Sequence, residues 1–431
     1  MSEIYRANTL INSDPRLLKL KEFLVSAVAP EMQNQSALKQ PERDSLRNLL
    51  LDVYARTKAA LKPAVRDQII NSALADLIGY GPIDLLLPDP EISEIMVNGA
   101  KHVFVERNGE VLETDVQFDD DNHLLRIIDR IVSPLGRHVD SDNPTADARL
   151  PDGSRVNVVI PPVAVDGPHV TIRKFLQTKM TMDDLVAMDA LTAYMAKFLE
   201  ACVVTRLNIL VTGNTSAGKT TVLNALSGFI PEKERIVTIE DAVELKLKQR
   251  HVVRLETRLP NVDGSGAVGV RELVRNALRM RPDRIVVGEV RGGEAMDMLQ
   301  AMNTGHTGSL TTLHANSPRD GTVRLETMSM MAGLEMPLLA IRKQIAAAIN
   351  LIVHLARLPD GSRRMTHITE LSGMEGDVIT LTDIFKFEQT GVTAEGKILG
   401  QLGPTNMRPL FTPRLEAAGY KLGGEIFGAG L

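Results

Sequence analysis

The chain has 431 residues, 44% of them apolar and 24% charged, with a net charge of −5, 3% aromatics, no Trp and a single Cys. That length holds two or three domains with their own cores. The acidic balance argues against a dedicated nucleic-acid binder, and lone Cys202 excludes a disulfide framework or a multi-cysteine zinc site.

No run of 18 apolar residues occurs, and the best stretch, 345–358, is broken by Asn350, His354 and Arg357. No spanning helix is therefore expected. The opening Met1-Ser2-Glu3-Ile4 is polar and acidic, unlike a signal peptide, so the cytoplasm is the expected compartment.

Residues 1–74 read as a helical extension. Leu17, Leu18, Leu20, Phe23 and Leu24, then Leu46, Leu49, Leu50 and Leu51, recur at helical spacing around a polar stretch at 33–43. Packing on the rest of the chain explains them as well as partner binding does. Residues 75–177 read as an α+β domain. Strands are predicted at 95–98 and 103–106 around Gly99, a hairpin turn at Asn108-Gly109, an amphipathic helix at 124–131, and strands at 155–160 and 170–173. The polar stretch 174–183 is the expected linker.

Residues 178–431 alternate strand and helix patterns, the mark of a parallel α/β sheet. The run Leu207 to Thr212 reads as a buried strand, and Gly213-Asn214-Thr215-Ser216-Ala217-Gly218-Lys219-Thr220-Thr221 follows it, then a helical pattern. This is the phosphate-binding P-loop pattern in its proper strand–loop–helix setting. Gly213 and Gly218 let backbone N–H groups close on phosphate oxygens, and the helix N-terminus faces the same anion. Lys219 reaches the outer phosphates and the Thr220 hydroxyl suits Mg²⁺, so ATP and Mg²⁺ are the expected cofactors.

Hydrolysis also needs acids. Residues 236–239 run into Glu240 and Asp241, then Glu244, and residues 285–288 run into Glu289. Alone, each is more often a solvated strand-end acid. In a parallel sheet both strands end on the edge that carries the P-loop, so Glu240, Asp241 and Glu289 are expected to converge there. Gly288 before Glu289 departs from a plain apolar run ending in an acid. Next, Gly-rich turns flank a short strand with His306 before it and His314 at its end. Either a γ-phosphate contact or a purely structural role fits these histidines. Arg149, Arg155, Arg173 and the arginines at 254–291 include candidates for charge supplied to the γ-phosphate. Short strand patterns occur at 351–355, 365–371 and 378–387, and the tail after Gln389 is weakly patterned.

Four motifs in this order, the P-loop at 213–221, the acidic box at 238–245, the segment 281–291 ending in Gly288-Glu289-Val290-Arg291, and the histidine box ending in Thr312-Leu313-His314-Ala315-Asn316, resemble those of the secretion-superfamily ATPases. These are hexameric motors of type II and type IV secretion and of type IV pili. The segments 89–99, 149–155, 336–345 and 360–370 resemble the CpaF/TadA branch, which powers tight-adherence pili.

The resemblance covers roughly 75–390. It implies an α/β fold with a P-loop (RecA-like) ATPase domain, and a homo-hexamer acting on pilin indirectly through inner-membrane platform proteins. Membrane contact would come only through those partners, with no direct nucleic-acid binding. It assigns phosphates and Mg²⁺ to Lys219 and Thr220, the attacking water to Glu240 and Mg²⁺ to Glu289, the last two being exchangeable. His314, and less directly His306, would sense the γ-phosphate, and Arg155 and Arg173 would reach it from the N-terminal domain. A VirB-type secretion ATPase, a nucleic-acid translocase and a small-molecule kinase remain alternatives.

Overall fold

A computed structural model describes residues 14–32, 40–107, 109–175, 180–258, 260 and 265–428. The polar stretch 33–39, Asn108 of the expected hairpin turn and the middle of the expected linker, 176–179, lie outside the described residues. The chain divides into two compact units, Met1–Gln177 and Thr178–Leu431.

In the first unit, helices α1 (Pro15–Met32), α2 (Gln40–Arg56) and α3 (Pro63–Ile78) pack around Leu24, Val28, Leu50, Ile69 and Ile70, all fully buried. Pro63 opens α3, where its missing N–H costs nothing. Six antiparallel strands follow: β1 (Ile92–Asn98), β2 (His102–Arg107), β3 (Glu110–Glu113), β4 (Thr145–Arg149), β5 (Arg155–Val159) and β6 (His169–Arg173), in the order β3-β2-β1-β6-β5-β4. Helix α4 (Asp121–Val132) covers one face with Leu124, Ile127, Ile128 and Ile131. The Asp120 side chain accepts from the His123 N–H at 2.6 Å and caps it. Strand β4, Thr-Ala-Asp-Ala-Arg, carries too little apolar signal to be read from sequence.

A buried charge cluster ties the helices to this α+β layer. Lys21 of α1 lies 3.0 Å from Asp76 of α3 and 2.7 Å from Asp119. His123 of α4 lies 3.2 Å from both carboxylates. Burial opposes the charge on His123, but its hydrogen bonds to Asp119 and Asp76 outweigh that and raise its pKa. Burial likewise works against Asp119, yet His123 and Lys21 hold it down at about 2.

The second unit is built on a nine-stranded sheet. Its strands are β7 (Ile209–Gly213), β8 (Ile236–Glu240), β9 (Val252–Glu256), β10 (Arg284–Val287), β11 (Leu310–His314), β12 (Leu351–Arg357), β13 (Arg363–Glu375), β14 (Val378–Val392) and β15 (Ile398–Pro404). The order is β15-β14-β13-β12-β7-β11-β10-β8-β9. The six from β12 to β9 are parallel, and β13 to β15 continue as antiparallel hairpins. Helices α5 (Met182–Ala187), α6 (Ala193–Val204) and α7 (Lys219–Ser227) line one face. Helices α8 (Val270–Ala277), α9 (Glu294–Asn303), α10 (Pro318–Met330) and α11 (Leu338–Ala348) line the other. Alternation splits the strands between two cores: Ile209 and Val211 join the first, Leu210 the second. This is why β7, β8 and β10 read as continuous apolar runs.

One expectation is corrected here. Met182 and Asp183 belong to α5 rather than to a linker. After Gln389 the described chain finishes β14, forms β15 and adds helices α12 (Thr412–Ala417) and α13 (Gly424–Phe427). Phe411 and Phe427 pack on Phe198 of α6 with ring centroids 6.2 and 5.9 Å away. These aromatic contacts join positions more than 200 residues apart, so no local periodicity reveals them. Among the described residues, no helix is long and apolar enough to cross a membrane.

Candidate active site

Strand β7 ends at Gly213 beside β12, and a Cβ there would meet the Leu355 carbonyl oxygen at 2.5 Å. Only glycine permits that approach. The loop then turns through Ser216 and Gly218 at φ of 58° and 95° and enters α7 at Lys219. Lys219 is nearly buried, and its Nζ donates to the Asn214 carbonyl at 3.1 Å. Thr220 and Thr221 sit in the first turn of α7.

Because β7, β8, β10 and β11 are parallel, their C-terminal ends share one edge of the sheet. There the Lys219 Nζ lies 3.3 Å from His314 Nδ1, and His314 Nε2 lies 3.0 Å from Glu289 Oε1. Burial and then the Lys219 charge lower the His314 pKa, so the ring is neutral near pH 7. A neutral ring can accept from Lys219 on Nδ1, while Nε2 faces Glu289 Oε1 without a hydrogen bond formed there among the described residues. Arg291 donates to the other Glu289 oxygen at 2.7 Å and approaches Asp241 at 3.2 Å. The sequence offered Arg291 only as one arginine among many. Its bridging role depends on β8 and β10 being neighbours.

Glu240 is almost fully buried at the end of β8. Its Oε2 accepts from the N–H groups of Glu244 and Leu245 at 2.7 and 2.9 Å, while Oε1 is buried with no hydrogen-bond partner among the described residues. Burial pushes its pKa up to about 7, against those two backbone donors. A carboxyl that titrates near neutrality with one oxygen unspent is suited to take a proton from water. The glycine at 288 now has a reason. A Cβ there would stand 3.0 Å from Glu240 Cγ, so glycine lets β8 present its acid against the end of β10.

His306 precedes β11 whereas His314 ends it, so the strand holds them at opposite edges of the sheet. Only His314 joins Lys219 and Glu289. The turn near His306 instead closes on buried Arg284, which donates to Glu234, the Gly308 carbonyl and the Val203 carbonyl. A Cβ on Gly308 would fall 1.9 Å from the Arg284 guanidinium.

Arg155 and Arg173 belong to the first unit. They are directly opposed in register across β5 and β6, on the face away from the core residues Val156, Val158, Val170 and Ile172. Arg149 opposes Arg155 from β4, and Glu94 lies 3.7 Å from Arg173. The three arginines thus form one cross-strand row on that face. An open cleft of about 620 Å³ in the second unit is lined by Asn214, Thr215, His314, Ala315, Asn316, Asp320, Val323 and Arg324.

The fold and this sheet edge define a P-loop ATPase, and comparison with known proteins gives its class. A family model described as type II/IV secretion system protein matches residues 76–392, and the chain belongs to that family of ATPases. It is 38% identical over 313 residues to a putative conjugal transfer protein of Mycobacterium tuberculosis, covering 71% of this chain and 88% of the relative. It is 32% identical over 292 residues to the conjugal transfer protein TrbB of Rhizobium radiobacter, covering 67% and 86%. Among solved structures, the VirB11 ATPase of the Brucella suis type IV secretion system aligns over 67% of this chain and 92% of its own, at 30% identity and a TM-score of 0.37. ATPases of this class act on ATP, typically with Mg²⁺.

Proposed function

We propose that the chain is a cytoplasmic, Mg²⁺-dependent motor that works as a ring of six copies and drives protein subunits through a cell-envelope machine. The observation that carries this reading is the Lys219–His314–Glu289 contact chain with Glu240 packed against Gly288 at the same sheet edge. Lys219 and the P-loop N–H groups would hold the phosphates. Thr220 and Glu289 offer hard oxygen donors of the kind Mg²⁺ prefers, and the ion would neutralise charge on the phosphates. Glu240 would accept the proton of the attacking water. His314, neutral, in contact with Lys219 and 3.0 Å from Glu289, would respond to loss of the γ-phosphate. Arg155 and Arg173 would bring positive charge to that phosphate.

The machine we propose is a tight-adherence pilus. Support comes from the segments at 89–99, 149–155, 336–345 and 360–370, and from the helices that precede the matched region. Platform proteins would connect the motor to pilin. The matched family and the conjugal-transfer names of the sequence relatives support a second reading, traffic through a type IV secretion machine.

The test is steady-state ATP turnover with and without Mg²⁺ on protein sized by light scattering. Mg²⁺-dependent turnover in a particle of about six copies, lost in Lys219→Ala, is expected. A monomer without turnover overturns the motor. Complementing a deletion strain and counting surface pili against plasmid-transfer frequency separates the two machines.

A further inference from the structure

The P-loop strand β7 has two flanks. His314, Glu289 and Glu240 all come from the β11 side. On the other side β12 and β13 form a hairpin whose register pairs Leu355 with Gly213, so residues 356–364 run on past the start of the P-loop. The turn of this hairpin is firmly built. Leu358 N–H donates to the Ser362 carbonyl at 2.8 Å, and Asp360 accepts from the Ser362 hydroxyl at 2.6 Å and from the Ile398 N–H at 2.8 Å. The hydrogen bonds of Ser362 and Ile398 hold the Asp360 carboxyl down at about 2, so the turn keeps these bonds at all ordinary pH.

Arg363 leaves this turn toward the P-loop. Its Nε donates to the Ser216 carbonyl at 2.9 Å, at the residue whose φ of 58° is left-handed. That conformation is unfavourable for a non-glycine residue, so a contact that holds it is informative. The Arg363 Cδ lies 3.8 Å from where a Cβ on Gly218 would be. Among the described residues, no carboxylate pairs with Arg363 and its two Nη groups make no hydrogen bond.

We infer that Arg363 is a nucleotide-positioning residue: it fixes the P-loop at Ser216 through Nε and presents its free Nη edge to the bound phosphates from the flank opposite Lys219. The acids and His314 then act on the terminal phosphate while Arg363 governs how tightly the nucleotide is held. This rests on the chain's ATPase activity and is independent of which machine it drives.

The test is titration of a fluorescent ATP analogue together with ATP kinetics on the full chain. For Arg363→Ala we expect Kd and KM to rise about tenfold, the size of one lost charge-assisted bond. At saturating ATP, kcat should stay within about twofold of the parent. Arg363→Lys keeps the charge without the forked geometry and should recover part of the affinity. The neighbouring Arg364, stacked on Phe387 5.5 Å away, is the control: Arg364→Lys should leave Kd unchanged. Unchanged Kd and KM in both Arg363 variants would overturn the assignment. So would a fall in kcat at unchanged Kd, which would mean that the contact shapes the loop for chemistry. If Arg363→Ala does not fold, the lysine variant decides alone, with about a threefold rise in Kd expected.

Discussion

The two sheets of this protein gather their functional side chains in different ways. The antiparallel sheet of the first unit buries one face under α4 and lines up Arg149, Arg155 and Arg173 across the other. The parallel sheet of the second unit is buried on both faces, so its chemistry has nowhere to go except the ends of its strands. Lys219, Glu240, Glu289 and His314 meet there although up to 95 residues separate them in sequence. A face is assembled by register and an edge by strand direction. The two arrangements should therefore fail differently when they are disturbed.

The largest effect should come from the edge. Glu240→Gln should cut kcat by about 10³-fold while ATP still binds, as expected for loss of a positioned base. In the parent, kcat should climb with pH through an apparent pKa near 7, because the acting form is the carboxylate, and the variant should lose that dependence. Stability should move the other way. The folded pKa lies above the ordinary glutamate value of 4.5, so the folded state holds a proton that the unfolded chain releases as pH rises. Burial of Glu240 therefore costs stability above pH 7. Thermal melting at pH 8 should show the glutamine variant gaining up to ~3 kcal/mol.

Next comes the charge cluster of the first unit. Lys21→Ala leaves Asp76 and Asp119 buried without their ammonium and should destabilise this unit by about 3 kcal/mol. The parent should show two pH limits. The His123 contribution is present below pH 6.5 and is lost as pH rises through its raised folded value. The Asp119 contribution is present above pH 3.8 and is lost as pH falls toward about 2. Chemical denaturation across pH, read on the first unit, checks both limits.

On the face that carries the arginines, Arg155→Ala should lower kcat about 10²-fold, a larger effect than the change in melting temperature expected from removing one half-buried side chain. An equal loss of kcat and of stability would make the row structural. The smallest effect is Gly288→Ala. Its Cβ would crowd Glu240 Cγ, and kcat should drop about tenfold at unchanged nucleotide affinity. A normal kcat would show that the acid tolerates displacement.

The P-loop was legible because its chemistry is local: a strand, a tight loop and a helix start lie within about twenty residues. Strand-end acids were legible for the same reason, since an apolar run that stops at a carboxylate marks the exit of a buried parallel strand. The amphipathic α4 and the strands at 95–98 and 170–173 follow from alternation alone. What escaped was set by neighbours distant in sequence. Strand β4 needed β5 beside it, the tail needed Phe198, and Arg363 became visible only when β12 was paired with β7.

Residue chemistry and spacing were thus enough to establish a nucleotide-binding α/β chain with acids on the loop-bearing edge. Tertiary structure alone decided that Gly288 is small because Glu240 lies against it, that Arg291 joins Asp241 to Glu289, and that His306 and His314 end on opposite edges. The reason is physical: hydrogen-bonded periodicity is written within a few residues, whereas burial, pKa and ion pairing depend on which strand comes to lie beside which.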